Sequence, residues 1–347
     1  MTATLDEKQL IPWLEAHVSG FSGFQALEKF GQGQSNPTFK VTADSGIYAL
    51  RAKPPGELLK SAHAVDREFR VMEALASSSV PVPKMLALSE EGEASPIGRM
   101  FFVMEYLEGR IFWDPAVPEC GDDNASRHAI YDAMNETLAH LHNVDVEAAG
   151  LSDFGKPGSY FARQTDRWAK QYRASEVEHN QTVHNVIAWL EEHMPEDDGV
   201  VSVVHGDYRL DNMIFAPDRD EVIAVLDWEL STLGHPLADL AYQCMQWRLP
   251  HQSGMRGLGA IDRAAIGIPT EEEYVAAYCK RRGIDSIPDW PFYIAFCFFK
   301  LTGILQGVYK RALDGNASNP KRAKEMAMAI PLLAQAAQNE IDRYEAS

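Results

Sequence analysis

Nine residues hold the densest polar chemistry of this chain: His-Gly-Asp-Tyr-Arg-Leu-Asp-Asn at 205–212, and Asp227. The loop lies between two short apolar runs, SVV at 202–204 and MIF at 213–215, and Asp227 directly follows a third, VIAVL at 222–226. A carboxylate at the end of a fully apolar strand is costly unless it has a partner, because an isolated charge resists leaving water. Mg²⁺ is a suitable partner, since it takes one or two carboxylates together with phosphate oxygens and water. Asn212 and Asp227 can supply the protein's share of that shell. Asp207, five residues before Asn212, is then available to accept a proton from an attacking hydroxyl. Each residue alone is equally an ordinary turn residue; the information lies in the loop, the spacing and the flanking strands together.

The elements that must position these groups are legible from periodicity. Residues 26–33 and 37–43 read as strands flanking the loop GQGQSNP, and 46–52 (GIYALRA) follows the turn Asp44-Ser45-Gly46, which predicts a three-strand meander. Pro54 and Pro55 stop it. Over 61–77, Ala62, Val65, Phe69, Met72 and Ala76 recur at helical steps, with Glu68 at the edge of that apolar face. Strands follow near 84–89 and 99–106. Helices are expected at 125–143, 163–193, 236–247, 270–282, 289–311 and 319–343. The order is a small β-rich region, then a larger helical one with a β insert, an α+β pattern in two lobes with a cleft between them.

Composition bounds the function. The 347 residues are 46% hydrophobic and 24% charged, which is ordinary globular usage and excludes a mainly disordered chain or a disulfide scaffold. Lys plus Arg total 32 and Asp plus Glu total 50, a net charge of −18. Such a chain is expected to bind neither nucleic acid nor anionic membrane. The cysteines at 120, 244, 279 and 297 form no C-x-x-C pair and read as reduced core thiols, which points to a cytoplasmic location. The start, MTATLDEKQL, has no apolar signal core. The apolar stretch 291–308 is interrupted by Lys300 and reads as a buried helix rather than a membrane span.

H-G-D-x-x-x-x-N followed by an apolar strand and Asp resembles the catalytic and metal loops of the aminoglycoside phosphotransferase and choline kinase group, relatives of the protein kinases. The resemblance covers nearly the whole chain. It implies a protein-kinase-like α+β fold, with a nucleotide-binding lobe and hinge over 1–108 and a helical lobe with the catalytic loop and substrate site over 109–347. It implies ATP and Mg²⁺ as cofactors, Asp207 as catalytic base, and Asn212 and Asp227 as metal ligands. Arg209 stands where kinases place a Lys that reaches the transferring phosphate. Asp-Trp-Glu at 227–229 replaces the familiar D-F-G, and Glu229 is expected near metal water or substrate. Asp239, in GHPLADLAY, resembles the acid that braces the catalytic loop; a helix-start acid favoured by the macrodipole is the equal alternative.

The N-terminal half carries matching features. In the loop from Gly31 to Asn36, Gly33 lets backbone N–H groups approach phosphate, and Ser35 and Asn36 complete the looser G-x-S-N form used by small-molecule kinases of this group. Arg51 on the third strand stands where many relatives have the ATP-anchoring Lys, and Lys53, of the same strand parity, is the alternative. Glu68 resembles the helix acid that pairs with this cation, or else is a solvated helix-edge acid. Residues 102–109 (FVMEYLEG) resemble a hinge, with Met104 behind the adenine and the backbone of Glu105 and Leu107 hydrogen-bonded to it.

Other classes fit less well. Gly206-Asp207…Asp211 imitates part of a metallophosphoesterase, but the sequence has no upstream D-x-H and no G-N-H. A protein kinase would need an A-P-E segment, which is missing. A kinase-like nucleotide-binding regulatory protein is the remaining alternative, disfavoured because Asp207, Asn212 and Asp227 all persist. The expected activity is therefore phosphoryl transfer from ATP to a small-molecule hydroxyl. Trp113, Asp114, Trp168 and Trp247 could serve a cationic acceptor. The segments GQGQSNPTF, YALRAKPPG and LDWELSTLGHPLADLAY resemble the kinase-like domain fused to some acyl-CoA dehydrogenases, which implies a hydroxyacyl-CoA or hydroxy-acid acceptor. Arg110, Arg163, Arg167, Arg173 and Arg248 are the candidate partners for its anionic groups.

Overall fold

The structure is a computed structural model that describes residues 5–31, 36–55, 64–251, 257–316 and 319–346. It divides into two compact units. The first comprises Met1–Ile111, Asp145–Ser152 and Asp211–Ser231; the second comprises Phe112–Val144, Asp153–Leu210 and Thr232–Ser347.

The first unit opens with helix α1 (Glu7–His17), capped by the Asp6 side chain, which accepts from the Lys8 N–H. The sequence reading placed no element before residue 26. Just two buried residues, Leu10 and Leu14, mark the inner face of α1, and Pro12 lies within it, so its periodic signal is weak. Strands β1 (Phe24–Lys29), β2 (Thr38–Ala43) and β3 (Gly46–Ala52) form the expected meander. Helix α2 (Val65–Leu75) and strands β4 (Met85–Leu88) and β5 (Phe101–Glu105) complete an antiparallel sheet of order β1-β2-β3-β5-β4. Alternate residues of β2, Phe39 and Val41, face a core shared with Leu10, Leu14, Leu50, Phe101 and Val103. On α2, the buried stripe is Val65, Glu68, Val71, Met72 and Leu75. Glu68 is therefore at the centre of the apolar face rather than at its edge.

Four short strands follow the first helices of the second unit: β6 (Ser202–Val204), β7 (Met213–Phe215), β8 (Val222–Val225) and β9 (Thr232–Gly234). The β7–β8 hairpin belongs to the first unit. Its Phe215 pairs with Arg110 through two 2.9 Å backbone hydrogen bonds, and the Val225 N–H reaches the Pro81 carbonyl. Gly109 makes this docking possible, because a Cβ there would overlap the Phe215 carbonyl oxygen.

The second unit holds α3 (Asn124–His142), α4 (Tyr160–Ser175), α5 (Gln181–Glu192), the β6–β9 pair, α6 (Leu237–Met245), α7 (Glu271–Arg282), α8 (Trp290–Leu313), α9 (Pro320–Ala327) and α10 (Ile330–Glu345). The helix expected at 163–193 is two helices. Glu176 leaves helical geometry, and Asn180 recaps the chain by accepting from the Val183 N–H. The helix expected at 319–343 is also two, with Pro331 in the first turn of α10. Among the described residues α8 is the one helix long and apolar enough to cross a membrane, and 72% of that stretch is buried within the protein. Phe161 of α4 meets Phe292, Tyr293 and Phe296 of α8, and the Trp168 ring lies beside Gly303.

Candidate active site

In the first unit, β3, α2 and the β7–β8 hairpin bring one guanidinium and three carboxylates together. The Nε of Arg51 lies 2.9 Å from Glu68 Oε2, an ion pair without the alignment of a hydrogen bond. Its Nη2 donates to Asp227 Oδ1. Asn36 Nδ2 donates to Glu68 Oε1 at 2.6 Å and reaches Glu229 Oε2 at 3.5 Å. Burial works against the charge on Arg51, but Glu68, Asp227 and Glu229 outweigh it and hold the guanidinium above its ordinary range. Burial also pushes the Glu68 carboxyl up to about 7, with Asp227 and Glu229 adding repulsion that Arg51 only partly offsets.

Asp227 has φ 66°, a left-handed conformation that costs a non-glycine residue on the order of 1 kcal/mol or more. Fully buried Trp228 anchors it, its indole donating to the Val225 carbonyl at 2.9 Å. The Leu226 N–H bonds the Asn212 carbonyl at 2.8 Å, so the hairpin sets Asn212 opposite the residue before Asp227. The donors are hard oxygens and the local charge is negative in excess, which suits Mg²⁺. Asn212 and Asp227 are the residues that would hold it.

In the second unit, the loop carrying Asp207 is fixed from below. Asp239 is 1% exposed; Oδ2 accepts from the His205 N–H at 2.6 Å and Oδ1 from the Gly206 N–H at 2.8 Å. It is therefore the loop brace rather than a macrodipole acid. Burial opposes its ionisation, but hydrogen bonds from His142 and Gly206 hold its carboxyl below the ordinary range. His142, itself pushed down by burial, bridges Asp239 (3.4 Å) and the Tyr278 hydroxyl (2.7 Å). The hydroxyl of buried Tyr208 donates to the Met134 carbonyl at 2.8 Å. The Asp207 side chain, 24% exposed, accepts from the Tyr242 hydroxyl at 2.8 Å and lies 3.4 Å from Arg209 Nε. Lys300 Nζ donates to the Gly206 carbonyl at 3.3 Å and sits over the Tyr242 ring.

Sequence reasoning missed Tyr242 and Lys300. The signals were slight: Tyr242 lies one turn beyond Asp239 on α6, and Lys300 is the lone charge in 291–308. Gly33 and Ser35 lie outside the described residues. Lys53 pairs with Glu91, so Arg51 alone of the two meets Glu68. Met104 is buried in β5 opposite Ala49 and Met85. Glu105 ends that strand with an exposed side chain that accepts from the Lys84 N–H at 3.3 Å, and Leu107 is half-buried just beyond it. A pocket of about 500 Å³, lined by residues including Glu271, Cys279 and Trp290, holds none of these groups.

Comparison with known proteins follows the same lines. Mouse acyl-CoA dehydrogenase family member 10 is 48% identical over 312 residues, covering 88% of this chain and 29% of that protein. The chain spans 29–43% of the length of the curated relatives it matches. A solved Ralstonia eutropha structure, provisionally described as an aminoglycoside phosphotransferase, is 45% identical, with TM-score 0.89 and coverage of 98% of this chain and 99% of its own. Spectinomycin phosphotransferase, solved with ADP and spectinomycin, shares the fold at 10% identity and TM-score 0.63, over 96% and 98% of the two chains. The sequence profile of the phosphotransferase enzyme family matches residues 26–292. That span takes in Asn36, Arg51, Glu68, Asp207, Asn212 and Asp227 alike, and the chain belongs to the phosphotransferase enzyme family.

Proposed function

We propose that this protein is an ATP- and Mg²⁺-dependent phosphotransferase that acts on the hydroxyl of a small molecule, with a hydroxyacyl-CoA or hydroxy acid as acceptor. The observation that carries this reading is Asp207: a partly exposed carboxylate held by Tyr242 on a loop that Asp239 braces through two backbone N–H groups. In this reading Asp207 orients the acceptor hydroxyl and takes its proton. Arg51, kept charged by its acidic neighbours, meets the nucleotide phosphates, and Glu68 and Asn36 fix its position. Arg209 adds positive charge beside the transferring group. Bound Mg²⁺ would neutralise charge on the phosphates.

The acceptor class is supported by relatives named as acyl-CoA dehydrogenases and by the charges near Asp207. Arg209 and Lys300 are cations on or against that loop, a setting suited to an anionic acceptor rather than a polyamine. Arg248 and Arg110 are already committed, to Glu271 and Glu340 and to Asp220 respectively.

The test is ADP release with hydroxyacyl-CoAs, free hydroxy acids, amino alcohols and aminoglycosides as acceptors, on wild type and Asp207→Asn. Turnover is expected with an acyl-CoA or hydroxy acid. It should fall at least about 100-fold in Asp207→Asn, the scale of a lost general base, with the affinity for a non-hydrolysable ATP analogue unchanged. Mg²⁺-dependent nucleotide binding without turnover on any acceptor would favour a regulatory protein instead.

A further inference from the structure

We propose that Glu176, His179 and His184, at the junction of α4 and α5, form a binding site for a zinc-class divalent cation, separate from the residues described above. Their ligand atoms, one from each residue, all lie within 4.8 Å of one another. Glu176 Oε1 is 2.9 Å from His184 Nε2 and 3.6 Å from His179 Nδ1. A tetrahedral shell with bonds of 2.0–2.2 Å has edges of roughly 3.3–3.6 Å, so the Glu176–His179 spacing already matches an edge and the Glu176–His184 contact would open slightly. Two imidazoles and one carboxylate suit Zn²⁺ and its late first-row neighbours, in contrast to the all-oxygen set at Asn212 and Asp227.

The contacts around the cluster aim both imidazoles at the carboxylate. Gln181 commits its amide N–H to Asn185 at 2.9 Å and turns its oxygen to His179 Nε2 at 3.2 Å. With that contact made, His179 turns Nδ1 toward the Glu176 carboxylate, 3.6 Å away. The two rings also stack at 4.7 Å, which holds them on one side of the carboxylate.

The frame is already built. Glu176 Oε1 also accepts from the Asn180 N–H at 3.1 Å. Buried Gln306 of α8 donates to the Ser175 carbonyl at 2.8 Å, and the Tyr172 ring stands edge-on to His184. Glu176 and His184 are partly buried and His179 is 65% exposed, so one side is open to a water ligand. The ion would fasten the end of α4 to the first turn of α5.

The test uses the full chain, stripped with EDTA, titrated with Co²⁺ for visible absorption and with Zn²⁺ by calorimetry. One equivalent is expected, with the d–d bands of a near-tetrahedral site. Affinity should fall at least about 10-fold in His179→Ala and in Glu176→Gln, while Asp227→Ala retains the bands. His179 is exposed, so its removal should leave the circular dichroism spectrum unchanged, and Glu176→Gln preserves shape if it does not. No band in wild type, or wild-type affinity in both variants, overturns the site. Loss in Asp227→Ala alone would assign the binding to the Asn212–Asp227 pair and equally overturn it.

Discussion

Tyr242 and Glu68 act by setting the electrostatics of their neighbours. The Tyr242 hydroxyl is one hydrogen bond to a charged group, worth about 1.5–3 kcal/mol. If Asp207 is the base, Tyr242→Phe should lower kcat about 10- to 100-fold and leave the nucleotide Kd unchanged; an unchanged kcat would show that Asp207 is held by other means. Glu68 makes a pH prediction. Its carboxyl sits near 7 in the folded protein against an ordinary 4.5, so the folded state binds the proton more tightly than the unfolded chain. The resulting stability is fully present below pH 4.5 and is lost as pH rises through 7, on the order of 3 kcal/mol. Urea denaturation at pH 5 and pH 8 should show that loss in wild type and a flatter profile in Glu68→Gln. Equal slopes in the two proteins would remove Glu68 as the cause. The Glu68–Arg51 pairing was legible through the family resemblance, and the helical period put the acid close to the apolar face. Its place at the centre of that face was not, because the stripe is completed by Leu75 rather than Phe69.

At the scale of elements, short pieces of chain do the positioning. The β7–β8 hairpin carries Asn212 and Asp227 but is only three and four residues per strand, so its docking on Arg110 and Pro81 has to be close. Gly109→Ala should force that hairpin away from Arg110. The expected result is Mg²⁺-dependent nucleotide affinity at least about 10-fold weaker, a loss of 1.4 kcal/mol or more, read by calorimetry against a preserved helical circular dichroism spectrum. Full affinity in the variant would mean that the strand shifts without disturbing Asp227. The strands themselves were legible from short apolar runs. The break at 176–180 was not, because apolar periodicity resumes in α5 after Asn180 and masks five non-helical residues.

Across the whole molecule, a chain of net charge −18 must keep its few buried cations paired. Arg248 is the clearest case, gripping Glu271 of α7 and nearly inaccessible Glu340 of α10. Arg248→Met removes the shared cation, although Glu340 keeps Arg343 and Glu271 keeps the Trp290 indole. The expected loss is about 3 kcal/mol, the lower end for breaking a buried pair, or a fall in Tm of roughly 5–10 °C. A Tm within 1 °C of wild type, roughly 0.5 kcal/mol or less, would show that the two acids rearrange without cost.

The order of most elements, the family and the catalytic loop follow from local information. Strand and helix periods, turn residues and the spacing H-G-D-x-x-x-x-N are all written within a few tens of residues. What the tertiary structure alone decided are the pairings between distant segments. It chose Arg51 over Lys53, which pairs with Glu91 instead, and it brought Arg51 to Asp227, 176 residues away in sequence. It made Asp239 a backbone brace, and it brought Tyr242 and Lys300 to the loop of Asp207. Such choices depend on which side chains share a buried face once the elements pack, a property of three-dimensional contact that no local pattern encodes.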